Sequence, residues 1–372
     1  MKAHMSAAKR VVIKIGSALL VDAERGTLHR AWLNALCDDV AAMCKRGQEV
    51  VLVSSGAIAL GRRVLGCAAG RTLKLEESQA AAACGQIRLA HAYQESLARH
   101  DLSAAQVLVT LGDTEDRRRY INARSTVNTL LRMKSVPVIN ENDTVATAEI
   151  RFGDNDRLAA RVSQMTSADL LVLLSDVDGL YDADPRRNKS ANFIPEVHQV
   201  TGEIEAMAGP PNPDSGSGGM VTKLAAAKIA MASGCHMVIV DGTGLNPLEA
   251  VIEGARCTWF IAGSNPKTQR KQWIAASLKP AGCLVIDAGA LGALNNGKSL
   301  LPAGVVVVEG NFGRGDPISV RDPEGVEVAR GLCAYSADDA RRIAGHKSRE
   351  IERLLGYRGR EEIIHRDDLA ML

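Results

Sequence analysis

Lys14 interrupts an otherwise apolar run, Val11-Val12-Ile13-Lys14-Ile15, which ends at Gly16. A short β-branched run closed by glycine reads as a strand buried on both faces. Lysine is almost never fully buried without something anionic to pair with, so Lys14 calls for an anion. A second lysine, Lys223, lies one turn inside a helical pattern that opens at Met220, after the glycine-rich run Ser215-Gly216-Ser217-Gly218-Gly219. Gly218 and Gly219 permit close backbone approach to a ligand, and Lys223 adds a positive point charge. No glycine precedes Lys223, so this is not a Walker A loop. Glycine content alone is equally compatible with a flexible connection.

Four more polar clusters follow apolar strands or open helices. Ser54-Ser55-Gly56 places backbone amides at a helix start, which suits an anion but also an ordinary serine cap. Asn142 and Asp143, within Asn140-Glu141-Asn142-Asp143, and Asn155 and Asp156, within Phe152-Gly153-Asp154-Asn155-Asp156, can bind a ligand carrying both an amine and a carboxylate, or can simply make turns and an Asx cap. Ser175-Asp176-Val177-Asp178 follows the most apolar strand; on local sequence Asp176 and Asp178 suit a turn best, with a metal or a nucleotide as the alternatives.

These clusters must be positioned by their elements. Strands are expected at Val11–Ile15, Glu49–Val53, Ala105–Thr110, Val136–Asn140, Leu170–Ser175, His236–Asp241 and Arg256–Ile261. Helices are expected at Arg30–Arg46, Glu76–Arg99, Tyr120–Lys134, Asp156–Thr166 and Met220–Ser233. Alternation of this kind implies an α/β unit with a mainly parallel open sheet sandwiched by helices. Ligands bind such sheets beyond the carboxyl ends of the strands, where the clusters above fall. Lys14 then points into the crevice and meets phosphate oxygens.

The rhythm changes after residue 264. Asn265-Pro266-Lys267-Thr268-Gln269-Arg270-Lys271 is polar and basic, and Lys279-Pro280-Ala281-Gly282 opens a different pattern. Residues 1–264 are expected to form the α/β unit, 265–280 a linker, and 281–372 a small mostly-β unit. Its short strands are Leu284–Asp287, Val305–Glu309, Pro317–Arg321 and Glu327–Ala329. Helical segments near Ala337–Ile343 and Arg349–Leu355 close it. No internal repeat is present. The Gly/Pro/Ser-rich stretch Gly209 to Gly219 is expected to be a mobile loop.

Composition narrows the classes. A formal net charge of +2 gives no global argument for nucleic acid or membrane binding. The longest apolar runs, Leu170 to Leu174 and Val305 to Val308, are far too short to span a bilayer, and Lys14 interrupts the only N-terminal apolar stretch that could serve as a secretory signal. The eight cysteines are scattered without metal-ligand spacing, so no zinc site is expected. They read as reduced structural thiols of a cytoplasmic protein. No GxGxxG follows the first strand, which excludes the usual dehydrogenase fingerprint.

Taken together, "VVIKIGSALL", "SSGAIALGR", "PVINENDTVATAEI", "FGDNDRLAA", "SDVDGLYDADPR" and "GSGGMVTKLAAAKIA" make the chain resemble the amino acid kinase family. The stretches "LLPAGVVVVEGNFGRGDPISV" and "ARRIAGHKSREIERLLGY" resemble a PUA domain. The resemblance covers nearly the whole chain. It implies the amino acid kinase fold and ATP-dependent phosphorylation of the L-glutamate side-chain carboxylate to L-glutamyl 5-phosphate, the first step of proline biosynthesis. By matching motifs, Lys14 and Lys223 would contact ATP phosphates and the transition state, and Asp156 would orient the lysines or the substrate. Ser55, Asp143 and Asn155 would bind glutamate. Ser175, Asp176 and the run Ser217, Gly218, Gly219, Met220, Val221, Thr222 and Lys223 would bind ATP. Ser54 stands where a threonine is frequent, and Ala18 where a second hydroxyl residue is common. The resemblance also implies Mg2+ travelling with the ATP phosphates rather than in a protein cage, and feedback inhibition by proline. A homo-oligomer, dimer or tetramer, and glutamyl phosphate reductase as a partner follow from the same resemblance.

Two rivals remain at this level. One is another amino acid kinase, acting on N-acetylglutamate, aspartate, carbamate or UMP; acidic residues such as Asp143 and Asp156 favour a substrate with a free α-amino group. The other is RNA binding through the PUA-like region. Against it stand the small net charge and an aromatic content of only 3%, which offers no stacking platform.

Overall fold

The structure is a computed structural model that describes residues 2–22, 24–68, 71–145, 155–209, 219–277 and 279–372. The chain divides into two compact units, Met1–Pro266 and Lys267–Leu372.

An eight-stranded sheet organises the first unit. Its strands are β1 (Arg10–Ile15), β2 (Glu49–Ser54), β3 (Ser103–Val109), β4 (Ser135–Glu141), β5 (Leu170–Ser175), β6 (Glu196–Val197), β7 (His236–Asp241) and β8 (Cys257–Phe260). Their order across the sheet is β6-β8-β7-β5-β1-β2-β4-β3. Strands β1 to β5 and β7 run parallel, and β1 lies between β2 and β5 with Lys14 opposite Val53 and Leu173. Strand β8, expected from the apolar run Arg256–Ile261, is antiparallel to β7, and the two-residue β6 joins its far side. The mainly parallel sheet therefore has an antiparallel margin.

Side-chain alternation decides what each strand residue meets. Successive strand residues point to opposite faces. Val11, Ile13 and Ile15 enter one core with helices α1 (Arg30–Lys45) and α3 (Leu75–Ala98), through Leu36, Leu89 and Tyr93. Val12 enters the other core, with helices α4 (Arg117–Arg132), α5 (Asn155–Thr166) and α6 (Met220–Ala232), through Val127, Leu158, Val162, Leu224 and Ala227. Lys14 shares the parity of Val12. It must therefore face α5 and α6.

Helix α2 (Ala57–Val64) is held against α3 at backbone distance. A Cβ on Gly61 would lie 1.7 Å from the Ala81 carbonyl oxygen, and one on Gly85 would lie 1.8 Å from that of Ala57. Glycine is the one residue that permits this approach. The contact anchors the start of α2, and with it Ser55 and Gly56, at the end of β2. Gly56 has φ 98°, a left-handed conformation that disfavours a side chain.

The second unit contains strands β9 (Gly282–Ile286), β10 (Val305–Gly310), β11 (Pro317–Arg321), β12 (Glu327–Leu332) and β13 (Leu369–Met371), in the order β10-β9-β11-β12-β13. All pairs are antiparallel except β9 with β11. Leu284, Ile286, Ile318, Val320 and Ala329 form its core with Ala340, Ile343 and Ile351 from the helical segments. The expected linker needs correction: Pro266–Ser277 is a helix, α7. Its Arg270 forms a buried ion pair with Asp368 at 2.6 Å, and the Ala275 carbonyl accepts from Arg330 at 2.9 Å, so the helix is built into the second unit. A further helix, Ala288–Asn295, interrupts the expected run of short strands; Asp287 caps it by accepting from the Ala290 N–H at 2.6 Å.

The stretch expected to be a mobile loop lies mostly outside the described residues, which omit 210–218. The segment 146–154 also lies outside them. All eight cysteines are unpaired, five of them buried. Burial pushes the Cys37 and Cys333 thiols up to about 12, which leaves them protonated and unreactive at neutral pH. Among the described residues no helix is long and apolar enough to cross a membrane.

Candidate active site

Strands β1, β2, β4, β5 and β7 end on one edge of the sheet, and the polar clusters read from the sequence fall along it. At its centre, Lys14 reaches from β1 to Asp156, the second residue of α5, with Nζ 2.7 Å from Oδ1. Lys223, in the first turn of α6, reaches the same carboxylate, with Nζ 3.2 Å from Oδ2. The Thr222 hydroxyl lies 3.2 Å from that second oxygen and also accepts from the Gly219 N–H at 3.1 Å. Asp156 is wholly buried, and both lysine side chains are about one-tenth exposed or less. The anion demanded by Lys14 is therefore supplied by the protein in this state.

The charge balance of this trio is unequal. Burial opposes ionisation of Asp156, but the Lys14 and Lys223 ammoniums outweigh it and hold the carboxyl below the ordinary carboxylate value. The position of Asp156 in the first turn of α5 adds the favourable end of the helix dipole. Among the described residues, both lysines pair with this one carboxylate, so the trio carries an excess of positive charge. A buried cluster with excess cationic charge at the carboxyl edge of a parallel sheet is suited to an anionic ligand.

Next to the trio lies an amide network. The Asn155 Nδ2 donates toward the Ser55 hydroxyl at 2.7 Å, the Ser54 carbonyl at 2.8 Å and the Asn140 Oδ1 at 3.1 Å. Asn140 Nδ2 donates to Gln86 Oε1 at 2.9 Å. Ser54 Oγ is 2.9 Å from the Tyr93 hydroxyl in the core below. The structure thus brings Ser55 and Asn155 together. Asp143 is half-buried in the turn after β4, where the Asn142 N–H donates to the Val109 carbonyl at 2.8 Å.

Asn140 and Gln86 are absent from the site set read from the sequence. Asn140 was visible only as one of several polar residues at a strand end. For Gln86 a signal existed: it shares the buried face of α3 with Ala82, Leu89 and Tyr93, at helical spacing. A polar side chain on such a face needs a partner.

The nucleotide set is only partly gathered. Ser175, at the end of β5, is buried and donates to Asp176 Oδ1 at 3.1 Å, while Asp176 is exposed. Asp178 instead accepts from the Tyr181 hydroxyl at 3.0 Å and pairs with Arg256 at 3.6 Å. Gly219 through Lys223 form the start of α6, with Met220 half-buried and Val221 exposed. Ser217 and Gly218 lie outside the described residues. Among the described residues no group of three or more His, Cys, Asp or Glu side chains could hold a metal ion.

A sequence profile described as the amino acid kinase family matches residues 9–241, a span that holds the trio and the amide network. The chain belongs to the amino acid kinase family. A PUA domain profile matches residues 282–355 of this amino acid kinase. The chain is 62% identical over 367 residues to the glutamate 5-kinase of Paramagnetospirillum magneticum, covering 99% of both chains. It is 61% identical over 362 residues to the glutamate 5-kinase of Agrobacterium fabrum, covering 97% of this amino acid kinase and 92% of that protein. It is also 60% identical over 363 residues to the glutamate 5-kinase of Rhodopseudomonas palustris, covering 98% and 96%.

Proposed function

We propose that this amino acid kinase transfers the γ-phosphoryl group of ATP to the side-chain carboxylate of L-glutamate, giving L-glutamyl 5-phosphate and committing glutamate to proline biosynthesis. The observation that carries the reading is the buried Lys14–Asp156–Lys223 trio with its excess positive charge. Relatives named glutamate 5-kinase, 58–62% identical over nearly the whole chain, support the substrate.

The chemistry explains the residue types. A glutamate side chain has a pKa of about 4.3, so it is already an anionic nucleophile at neutral pH and needs no general base. The barrier is electrostatic, because an anionic carboxylate must approach an anionic phosphate. In this reading Lys14 and Lys223 offset that repulsion and the charge of the transferring group. Asp156 holds both ammoniums in place. Asn155, Ser55 and Asp143 hold glutamate, and Ser175, Asp176 and the run from Ser217 to Lys223 hold ATP. Mg2+ would supply further charge neutralisation. The described residues provide it no cage, and Asp156 is engaged by two lysines, so the ion is expected to be held by phosphate oxygens.

The direct test is incubation with ATP, Mg2+ and L-glutamate, with the acyl phosphate trapped by hydroxylamine. Hydroxamate with glutamate, and not with aspartate or N-acetylglutamate, is the expected result; preference for either of the others would displace the reading.

Asp143 divides the two substrates. Asp143→Ala is expected to raise the KM for glutamate about tenfold or more, the scale of losing a hydrogen bond to a charged group, and to leave the KM for ATP nearly unchanged. Equal rises in both would place Asp143 elsewhere.

The second unit contributes none of the proposed site residues, so a chain ending at Pro266 is expected to fold and to retain hydroxamate formation. A truncated chain with native circular dichroism and no activity would make the second unit part of the catalytic apparatus.

A further inference from the structure

The amide network beside the trio can be oriented from fixed donors and acceptors. The backbone N–H of Glu141 donates to Asn140 Oδ1 at 2.9 Å. A backbone N–H cannot accept, so the oxygen and nitrogen of the Asn140 amide are assigned by this contact. Its Nδ2 must then donate to Gln86 Oε1. The consequence falls on Gln86. Its Nε2 is buried and has no hydrogen-bond partner among the described residues. The orientation is set by what Asn140 requires rather than by what would satisfy Gln86.

The same logic reaches Asn155. The Ser54 carbonyl, Ser55 Oγ and Asn140 Oδ1 all take the Asn155 nitrogen as donor. What Asn155 keeps for a ligand is its Oδ1, an acceptor. An acceptor suits an ammonium group and not a carboxylate.

We propose that Gln86 is a positioning residue: by accepting from Asn140 it holds Asn140, and through it Asn155, so that an acceptor faces the α-ammonium of the substrate. Gln86 thereby makes the site favour a substrate that carries an α-ammonium over one that lacks it. The inference rests on the glutamate reading above. It concerns a residue in the middle of α3 that touches no reacting atom; its effect passes through two amides.

The test compares Gln86→Met and Gln86→Glu in the full chain. Methionine fills the space without a strong acceptor. A glutamate carboxyl accepts from Asn140 whether or not it is protonated. Hydroxamate formation is measured against concentrations of L-glutamate, of ATP and of glutarate, which lacks the α-ammonium. Gln86→Met is expected to raise the glutamate KM about tenfold and to cut the preference for glutamate over glutarate by about the same factor, the effect of one lost oriented contact. Its KM for ATP should stay within about twofold of wild type, since none of the residues proposed to hold ATP belongs to this network. Gln86→Glu is expected to keep the wild-type preference. A folded Gln86→Met with unchanged glutamate KM and unchanged preference would overturn the inference, as would KM values for glutamate and ATP that rise together. Should Gln86→Met not fold, Gln86→Glu decides: retained preference supports the positioning role, and lost preference in a folded variant overturns it. Absence of hydroxamate from the wild-type chain would instead strike down the glutamate reading itself.

Discussion

Replacing Lys14 or Lys223 with alanine is expected to slow acyl-phosphate formation about 100-fold or more, the scale of removing one preorganised charge donor from a transition state. Each lysine side chain is held within 3.2 Å of Asp156 in a buried setting. In the proposed reaction neither ammonium would need to be desolvated or reoriented as charge shifts to the phosphoryl group, which is where preorganised donors gain their effect. Loss of either lysine also removes the excess positive charge, because one ammonium then balances one carboxylate. The measurement is turnover at saturating glutamate and ATP, with folding checked by circular dichroism. Near wild-type turnover in both variants would remove the lysines from the mechanism.

Asp156→Ala is expected to cost about 3–5 kcal/mol of stability, as for a buried ion pair broken from one side, because two ammoniums are left without their counter-charge. The pH dependence has a definite sign. The carboxyl is held below its ordinary value in the folded chain, so ionised Asp156 stabilises the fold above its unfolded pKa of about 3.9. That contribution is lost as pH falls through the folded value. The stability gap between wild type and Asp156→Ala, measured by denaturant unfolding, should therefore be wide at pH 7 and shrink below about pH 4. A gap that does not change with pH would mean that the carboxylate charge is not what Asp156 contributes.

Lys14 was legible because it breaks a pattern: a charged residue in a two-sided apolar strand has few explanations. Its partner was not legible from spacing. Asp156 lies on a helix far away in sequence, and the two meet because β1 is central and the parity of Lys14 directs it toward α5 and α6. That geometry is a property of sheet order, which no local window contains. The expectation that Lys14 meets phosphate must accommodate the carboxylate that already neutralises part of its charge.

Two misreadings have local causes. The stretch from Asn265 to Pro280 looked like a linker because it is polar and opens with proline, yet proline is favoured in the first turn of a helix, and Arg270 and Ile274, four residues apart, form the buried face of α7. Gln86 leaves little mark in the sequence, because the alanine-rich pattern around it announces a helix strongly enough to hide a single polar residue on the packed face. Both signals were present in the sequence, but each needed burial to become informative. The antiparallel turn of β8 against β7 left no comparable mark, since the two run directions share one apolar pattern.

The most direct test of the central claim follows the oxygen atoms. L-glutamate labelled with 18O in its side-chain carboxylate is incubated with ATP, Mg2+ and the full chain, and the product is trapped with hydroxylamine. If the carboxylate attacks the γ-phosphorus, a glutamate oxygen bridges carbon and phosphorus in the acyl phosphate. Hydroxylamine then attacks the carbonyl carbon and releases phosphate carrying one 18O. Labelled phosphate, in proportion to hydroxamate, is the predicted result. Unlabelled phosphate without hydroxamate would show that water, not glutamate, accepts the phosphoryl group, and would contradict the account.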